Sequence, residues 1–163
     1  MGLALEARQF LRSTHHGLLS TFSAKFTGFP YGSVTPFVLD HDGQPVILIS
    51  TLAEHTKNII ANPKVSLLVF TAGDDLVANA RLTLIGEAQL IEKNDMDLRA
   101  RYLRYLPQAA SYFDMHDFNF TASTSRRHAI SRVSARWAGW KASISPTPPP
   151  QSWLRRKQVL SST

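Results

Sequence analysis

Apolar and polar positions along this chain change period about every ten residues, and each change marks a new element. In "LALEARQFLRS" (3–13), Leu3, Ala7, Phe10 and Leu11 recur at helical intervals, which predicts a short amphipathic helix, and Gly17 ends it. "GLLSTFSA" (17–24) then reads as a strand, and after a turn at "TGFPYG" comes a second, "SVTPFVLD" (33–40). The cluster "DHDG", Asp40 to Gly43, predicts a tight turn, because Asp and Gly tolerate positive φ. "QPVILIS" (44–50) is apolar nearly throughout, the pattern of a strand buried on both faces.

A second helix, "TLAEHTKNIIANP" (51–63), places Leu52, Thr56, Ile59 and Ile60 on one face. It stops at Asn62-Pro63, since a residue before proline resists helical backbone. "KVSLLVF" (64–70) is a fourth strand. "ARLTLIGEAQLIE" (80–92) is a fifth, and its alternation shifts around Gly86, where a bulge is expected. "NDMDLRARYLRYLP" (94–107) predicts a helix entered through Asn94 and closed by Pro107. A sixth strand should start near Phe118. Strands meeting in hairpins, interrupted by short helices, predict a mainly β, α+β fold: a closed six-stranded antiparallel barrel with flanking helices.

A chain of 163 residues fits one domain, and 44% hydrophobic with 18% charged residues excludes wholesale disorder. The absence of cysteine excludes a disulfide framework, a thiolate zinc site and a cysteine nucleophile. Glu6 and Arg8 break the apolar run at the N-terminus, so neither a signal peptide nor a membrane span is expected there, and the expected location is cytoplasmic. The net charge of +6 is unevenly placed. Residues 1–120 carry 10 Lys/Arg against all 12 Asp/Glu, whereas residues 121–163 carry 8 Lys/Arg and no acid.

The chemistry-bearing stretch is "ILISTLAEHTKNII". A buried strand ends in Ser50-Thr51, and a helix bearing His55, Thr56 and Lys57 follows at once. Hydroxyls, helix-start amides and an ammonium are what a phosphate monoester requires. The same residues also suit a capped helix whose His55 and Lys57 merely face solvent. Ser33 and Thr35 of "YGSVTPF" alternate with Val34 on a strand, so their two hydroxyls point either to a ligand or to an ordinary strand surface. Arg81 is a third candidate, either a phosphate clamp or the partner of Asp74 or Asp75. No metal site is expected: His15 and His16 are adjacent and diverge, His41 lies in a turn, and "DMHD" (114–117) reads as a polar loop.

The strand "SVTPF", the hairpin "DHDGQPVILIS" and the block "LAEHTKNIIANPKVSLLV" resemble the pyridoxamine 5′-phosphate oxidase-like split barrels that bind flavin mononucleotide (FMN). "LAEHTKN", "RLTLIGEA" and "DFNF" resemble the haem-utilisation branch of that family, over about residues 5–120. The resemblance implies a split barrel, a homodimer with the cofactor at its interface, and FMN or haem as that cofactor. It places the flavin phosphate and ribityl chain against Ser33, Val34, Thr35, Ser50, Thr51, His55, Thr56 and Lys57. The true oxidases use a basic pair where this chain has His-Thr-Lys, which argues against pyridoxamine as the substrate. The function implied is a flavin-dependent oxidoreductase or a haem-utilisation protein; the alternative is a non-enzymatic haem carrier.

Residues 1–120 are thus expected to be the cofactor domain and 121–163 an atypical basic tail. The family continues after "DFNF" with a segment like Tyr-Arg-Leu-Asp-Ile, whereas this chain reads "TASTS". One base lost just after the Phe120 codon would turn codons of that kind into those of the present tail. An out-of-frame reading of a GC-rich gene also accounts for a tail rich in Arg, Ser, Ala and Pro. On this reading the closing strand is lost, and with it the C-terminal histidine that some haem-degrading relatives use; His128 is not its substitute by identity alone. The tail's cations with Trp137, Trp140 and Trp153 otherwise suggest a nucleic-acid arm. That is the weaker reading, because "SPTPPP" favours disorder and the tail lacks a strand or helix pattern.

Overall fold

The computed structural model describes residues 3–71, 79–91, 95–131 and 138–140, and the side chains of 5–71, 79–91 and 95–121. Helix α1 (Leu3–Ser13) leads into β1 (His16–Phe22), which pairs antiparallel with β2 (Pro30–Pro36). β3 (Val38–Leu39) and β4 (Pro45–Ser50) form a hairpin, α2 (Glu54–Ala61) follows, and β5 (Lys64–Phe70) pairs with β6 (Arg81–Ile91). After α3 (Met96–Tyr105) and a 3₁₀ helix (Pro107–Asp114) come β7 (Phe118–Ser131) and β8 (Ala138–Trp140).

All ladders are antiparallel, in the order β2-β1-β5-β6-β7-β4-β3, with β8 beside β7. Among the described residues no ladder joins β2 to β3, so the barrel is split rather than closed. Those two ends are nevertheless consecutive in the chain, linked through Phe37, so the sheet must curl until its edges meet. The expected second strand breaks at that residue. Phe37 has its side chain wholly buried and its amide bonded to the His15 carbonyl at 2.9 Å, so Pro36 and Val38 belong to different ladders. This break and the short β8 give eight strands among the described residues, where six were expected.

β4 is buried on both faces, as its sequence predicts. Ile47 and Ile49 join the barrel interior with Leu19, Leu67, Leu84, α1's Leu11 and α2's Ile59. Val46 and Leu48 face a second layer built from Leu98, Tyr102, Phe113 and Phe120. The Asp40–Gly43 turn forms as expected. Asp40 Oδ1 accepts from the Asp42 and Gln44 amides at 2.9 and 2.7 Å, and Gly43 takes φ +80°. The bulge is present as well, as a register shift at Ile85/Gly86.

Three local expectations are corrected. α3 is capped by Asp95, whose carboxylate accepts from the Leu98 amide at 3.0 Å, not by Asn94, which lies outside the described residues. On α2 the buried face is Thr56, Asn58 and Ile59, while Leu52 and Ile60 are 74% and 64% exposed. The helix starts at Glu54, so Leu52 precedes its first turn, and Asn58's polar partners lie on the buried side. The tail, expected to lack a strand pattern, continues β7 through Ser131 opposite β6. Backbone hydrogen bonding to a neighbouring strand builds a ladder without help from apolar alternation. Residues 132–137 and 141–163, with Trp137, Trp153 and "SPTPPP", lie outside the described residues, as do Asp74, Asp75 and the side chains of His128 and Trp140.

Candidate functional site

The turn between β4 and α2 is organised by Asp117, which directly precedes β7. Ser50 Oγ donates to Asp117 Oδ2 at 2.5 Å and accepts from the Leu52 amide at 3.0 Å, while the Thr51 amide donates to the Asp117 carbonyl at 2.7 Å. Thr56, 1% exposed, returns its hydroxyl to the Ser50 carbonyl at 2.5 Å. Two of the hydroxyls expected to meet a ligand therefore hold the turn itself. The start of α2 has no side-chain cap, because Ala53 occupies the cap position. Next to it Thr51 is exposed, and Lys57 lies on the outer side, 3.7 Å from Glu54 Oε2.

Asn58 fastens the helix to the barrel. It is fully buried; its Oδ1 accepts from the Ala24 amide at 2.8 Å and its Nδ2 donates to Thr21 Oγ1 at 3.0 Å. One turn away, His55 lies with Nδ1 3.2 Å from Ser33 Oγ on β2, and its Nε2 is buried without a hydrogen-bond partner. Thr35, on the same side of β2, is 3% exposed and donates its hydroxyl to the Pro36 carbonyl at 3.2 Å. Among the sequence candidates, fold and helix start thus bring Ser33 to His55 and Ser50 to Thr56.

Burial lowers the His55 pKa below its ordinary 6.5, because the charged imidazolium is poorly solvated there. The unfolded chain therefore takes up this proton first as pH falls below about 6.5, the unperturbed value. Stability is expected to be level above that pH and to decline below it, down to the folded-state pKa. His55→Gln should flatten this part of the profile, measured as thermal midpoints of both proteins between about pH 5 and 8. Parallel profiles for the two proteins would refute it.

Val34 and Arg81 lie elsewhere. Strand alternation puts Val34, 77% exposed, on the outer face of the sheet formed by β2, β1, β5 and β6, and Arg81, half-buried, on the same face. The register aligns Val34 with Leu18 and Leu68, and Phe70 with Arg81. His16 is exposed, and its ring meets Phe70 edge-on at 6.3 Å, extending the Arg81 row across β5 to β1. Leu18 and Leu68 are half-buried, while Phe22 and Ile85 are 50% and 45% exposed on the same face. β1 and β5 approach closely here: a Cβ at Gly17 would stand 2.9 Å from the Leu68 carbonyl oxygen.

Sequence reasoning missed this outer face, and it missed the structural parts of Asn58 and Asp117. The alternation of β1 and β5 carried a signal, since both their faces hold apolar residues. Which strands lie side by side was not in it. A separate cleft of about 300 Å³ lies between α1, the β3–β4 turn and α3, lined by Arg12, His15, Asp40, His41, Arg101 and Tyr105 among others.

The pyridoxamine 5′-phosphate oxidase family profile matches residues 3–141. The chain is 43% identical over 116 residues to the chloroplastic haem oxygenase HOZ of Arabidopsis thaliana, covering 71% of this chain and 36% of that protein. It is 33% identical over 92 residues to the haem oxygenase HutZ of Vibrio cholerae, covering 55% of this chain and 51% of HutZ. The chain therefore spans between a third and just over half of the curated relatives it matches. Among solved structures, a haem-binding protein from Mycobacterium smegmatis superposes with a TM-score of 0.77 at 30% identity, over 86% of this chain and 58% of that one. HutZ, there described as a haem storage protein, superposes with a TM-score of 0.61 at 26% identity, over 77% of this chain and 91% of that one.

Proposed function

From membership of the pyridoxamine 5′-phosphate oxidase family, to which this chain belongs, we propose that the protein is a haem-utilisation factor that holds haem at the interface of a homodimer. The observation that carries this reading is the outer face of β2-β1-β5-β6. It presents Leu18, Val34, Leu68 and Phe70 as an apolar patch, with Ser20, Ser66 and Thr83 on the same face, Ile85 beyond them, and the guanidinium of Arg81 in its end row. A porphyrin needs an apolar seat and a cation near its carboxylates, and this face carries apolar side chains with a guanidinium in the same sheet. Bound there, haem supplies an iron centre able to engage dioxygen. The side chains provide the dry wall and the charge. The relatives' printed names, oxygenase and storage protein, support haem as the ligand and divide on whether it is consumed.

The test is titration of the purified chain with ferric haem, followed by ascorbate in air. A saturable visible band is expected. Its loss in air marks an oxygenase, and its persistence marks the non-enzymatic carrier. No saturable band would overturn the proposal. The cytoplasmic location belongs to the same proposal; the structure adds that, among the described residues, no helix is long and apolar enough to cross a membrane.

Flavin is the second reading, favoured by the uncapped start of α2 flanked by exposed Thr51 and Lys57. The site fits a phosphate only in part, since Ser50, Thr56 and Thr35 already spend their hydroxyls internally. Saturable binding of flavin mononucleotide that Lys57→Ala abolishes would favour it, and with it the flavin-dependent oxidoreductase.

The homodimer makes its own prediction. Val34 is exposed within the face, so Val34→Glu should leave the monomer's stability nearly unchanged. An unpaired carboxylate buried in each half of the interface should convert dimer to monomer, read by light scattering after gel filtration. A wild-type monomer, or a dimeric variant, would count against an interface here. The out-of-frame reading from about Thr121 stands as a proposal about the gene. Sequencing across the Phe120 codon tests it, and an uninterrupted frame with no family-like ending in another frame would sink it.

A further inference from the structure

We infer that His16 supplies an axial nitrogen to the iron of the haem seated on the outer face, an inference that rests on the haem reading above. Among the described residues, the outer face of β2-β1-β5-β6 carries one imidazole, and it belongs to His16. The other described histidines are placed away from that face. His15 lines the cleft between α1 and α3 with its ring 5.3 Å from Tyr105, and His41 lines the same cleft. His55 is turned toward Ser33. His116 lies in the loop before β7, after the 3₁₀ helix.

His16 has what an axial ligand requires. It opens β1, in a row with Phe70 and Arg81, so its ring stands beside the same apolar patch that would seat the porphyrin. The ring is exposed to an incoming ligand, and Phe70 meets it edge-on at 82°. Leu18, next on the same face, is half-buried and gives the macrocycle a wall. In a neutral imidazole one ring nitrogen carries the proton and the other is free to bind a metal. Haem proteins commonly take their proximal ligand from histidine.

The experiment uses the full chain, ferric haem as the probe, and two variants. His16→Gly removes the imidazole at an exposed position, and His41→Ala, in the cleft, serves as the control. The readouts are the haem dissociation constant and the electron paramagnetic resonance and visible spectra of the complex, with circular dichroism confirming the fold. Wild type and His41→Ala should share a nitrogen-ligated spectrum. His16→Gly should lose that signature and bind haem about ten- to a hundredfold more weakly, and free imidazole should restore the signature. Haem bound by His16→Gly with unchanged spectrum and affinity would overturn the inference while leaving the haem reading in place. No haem binding by the wild type would overturn both.

Discussion

Replacing Asn58 by alanine should lower stability by about 3 kcal/mol and the thermal midpoint by roughly 6–12 °C. The side chain is fully buried, and both ends of its amide are in use: the Ala24 amide donates to Oδ1, and Nδ2 donates to Thr21 Oγ1. Alanine would take the acceptor from the part-buried Ala24 amide and the donor from the buried Thr21 hydroxyl, which keeps only its long bond to the Tyr31 carbonyl, and would leave a void at a fully buried position. An unsatisfied buried group costs about 1–3 kcal/mol, more than the bond itself contributes. Asn58→Asp should also destabilise, because it keeps the acceptor but loses the donor and buries a charge. Because Asn58 holds α2 against β1, the alanine variant should also free His55 from Ser33, and the acid-side loss of stability traced to His55 should shrink. A midpoint within about 2 °C of wild type would show that α2 is fastened by its apolar contacts alone.

Tyr102→Ala should cost more, about 4 kcal/mol, or roughly 8–16 °C in midpoint. Tyr102 is 1% exposed at the centre of the layer that α3 and the 3₁₀ helix lay over β4. Its ring packs against Phe113 and Phe120 at 6.2 and 5.5 Å, and those two rings meet each other at 5.4 Å. Truncation removes one wall of this triangle and leaves a cavity that rigid aromatic neighbours cannot close. Tyr102→Phe should cost only about 1 kcal/mol, because the hydroxyl makes one long contact, accepting from the Leu48 amide at 3.4 Å. Burial pushes the Tyr102 hydroxyl up to about 12. The unfolded chain then ionises first as pH passes about 10, so stability should fall from there toward about 12. Tyr102→Phe should blunt that alkaline loss. Equal midpoints for wild type and Tyr102→Ala would mean the layer over β4 contributes little to the fold.

The amino-acid sequence by itself determined nearly every element. Alternation located β1, β5 and β6, the uninterrupted run 45–50 declared a strand covered on both sides, Asp40 and Gly43 specified their turn, and Gly86 marked the bulge. These are local matters, decided by backbone preferences and by the period at which apolar side chains recur. The family was legible too, because its motifs are contiguous stretches. What the tertiary structure decided was which side chains meet. Ser50, Thr56 and Thr35 read as ligand hydroxyls, yet packing turned each onto a backbone carbonyl or a carboxylate a few ångströms away. Nothing in the helix pattern marked Asn58, whose partners at Thr21 and Ala24 stand more than thirty positions earlier in the chain. Only strand order placed His16, Phe70 and Arg81 in one row. A hydrogen bond or a shared face depends on distance in space, and the spacing of residues along a chain does not encode that distance once the sheet has folded.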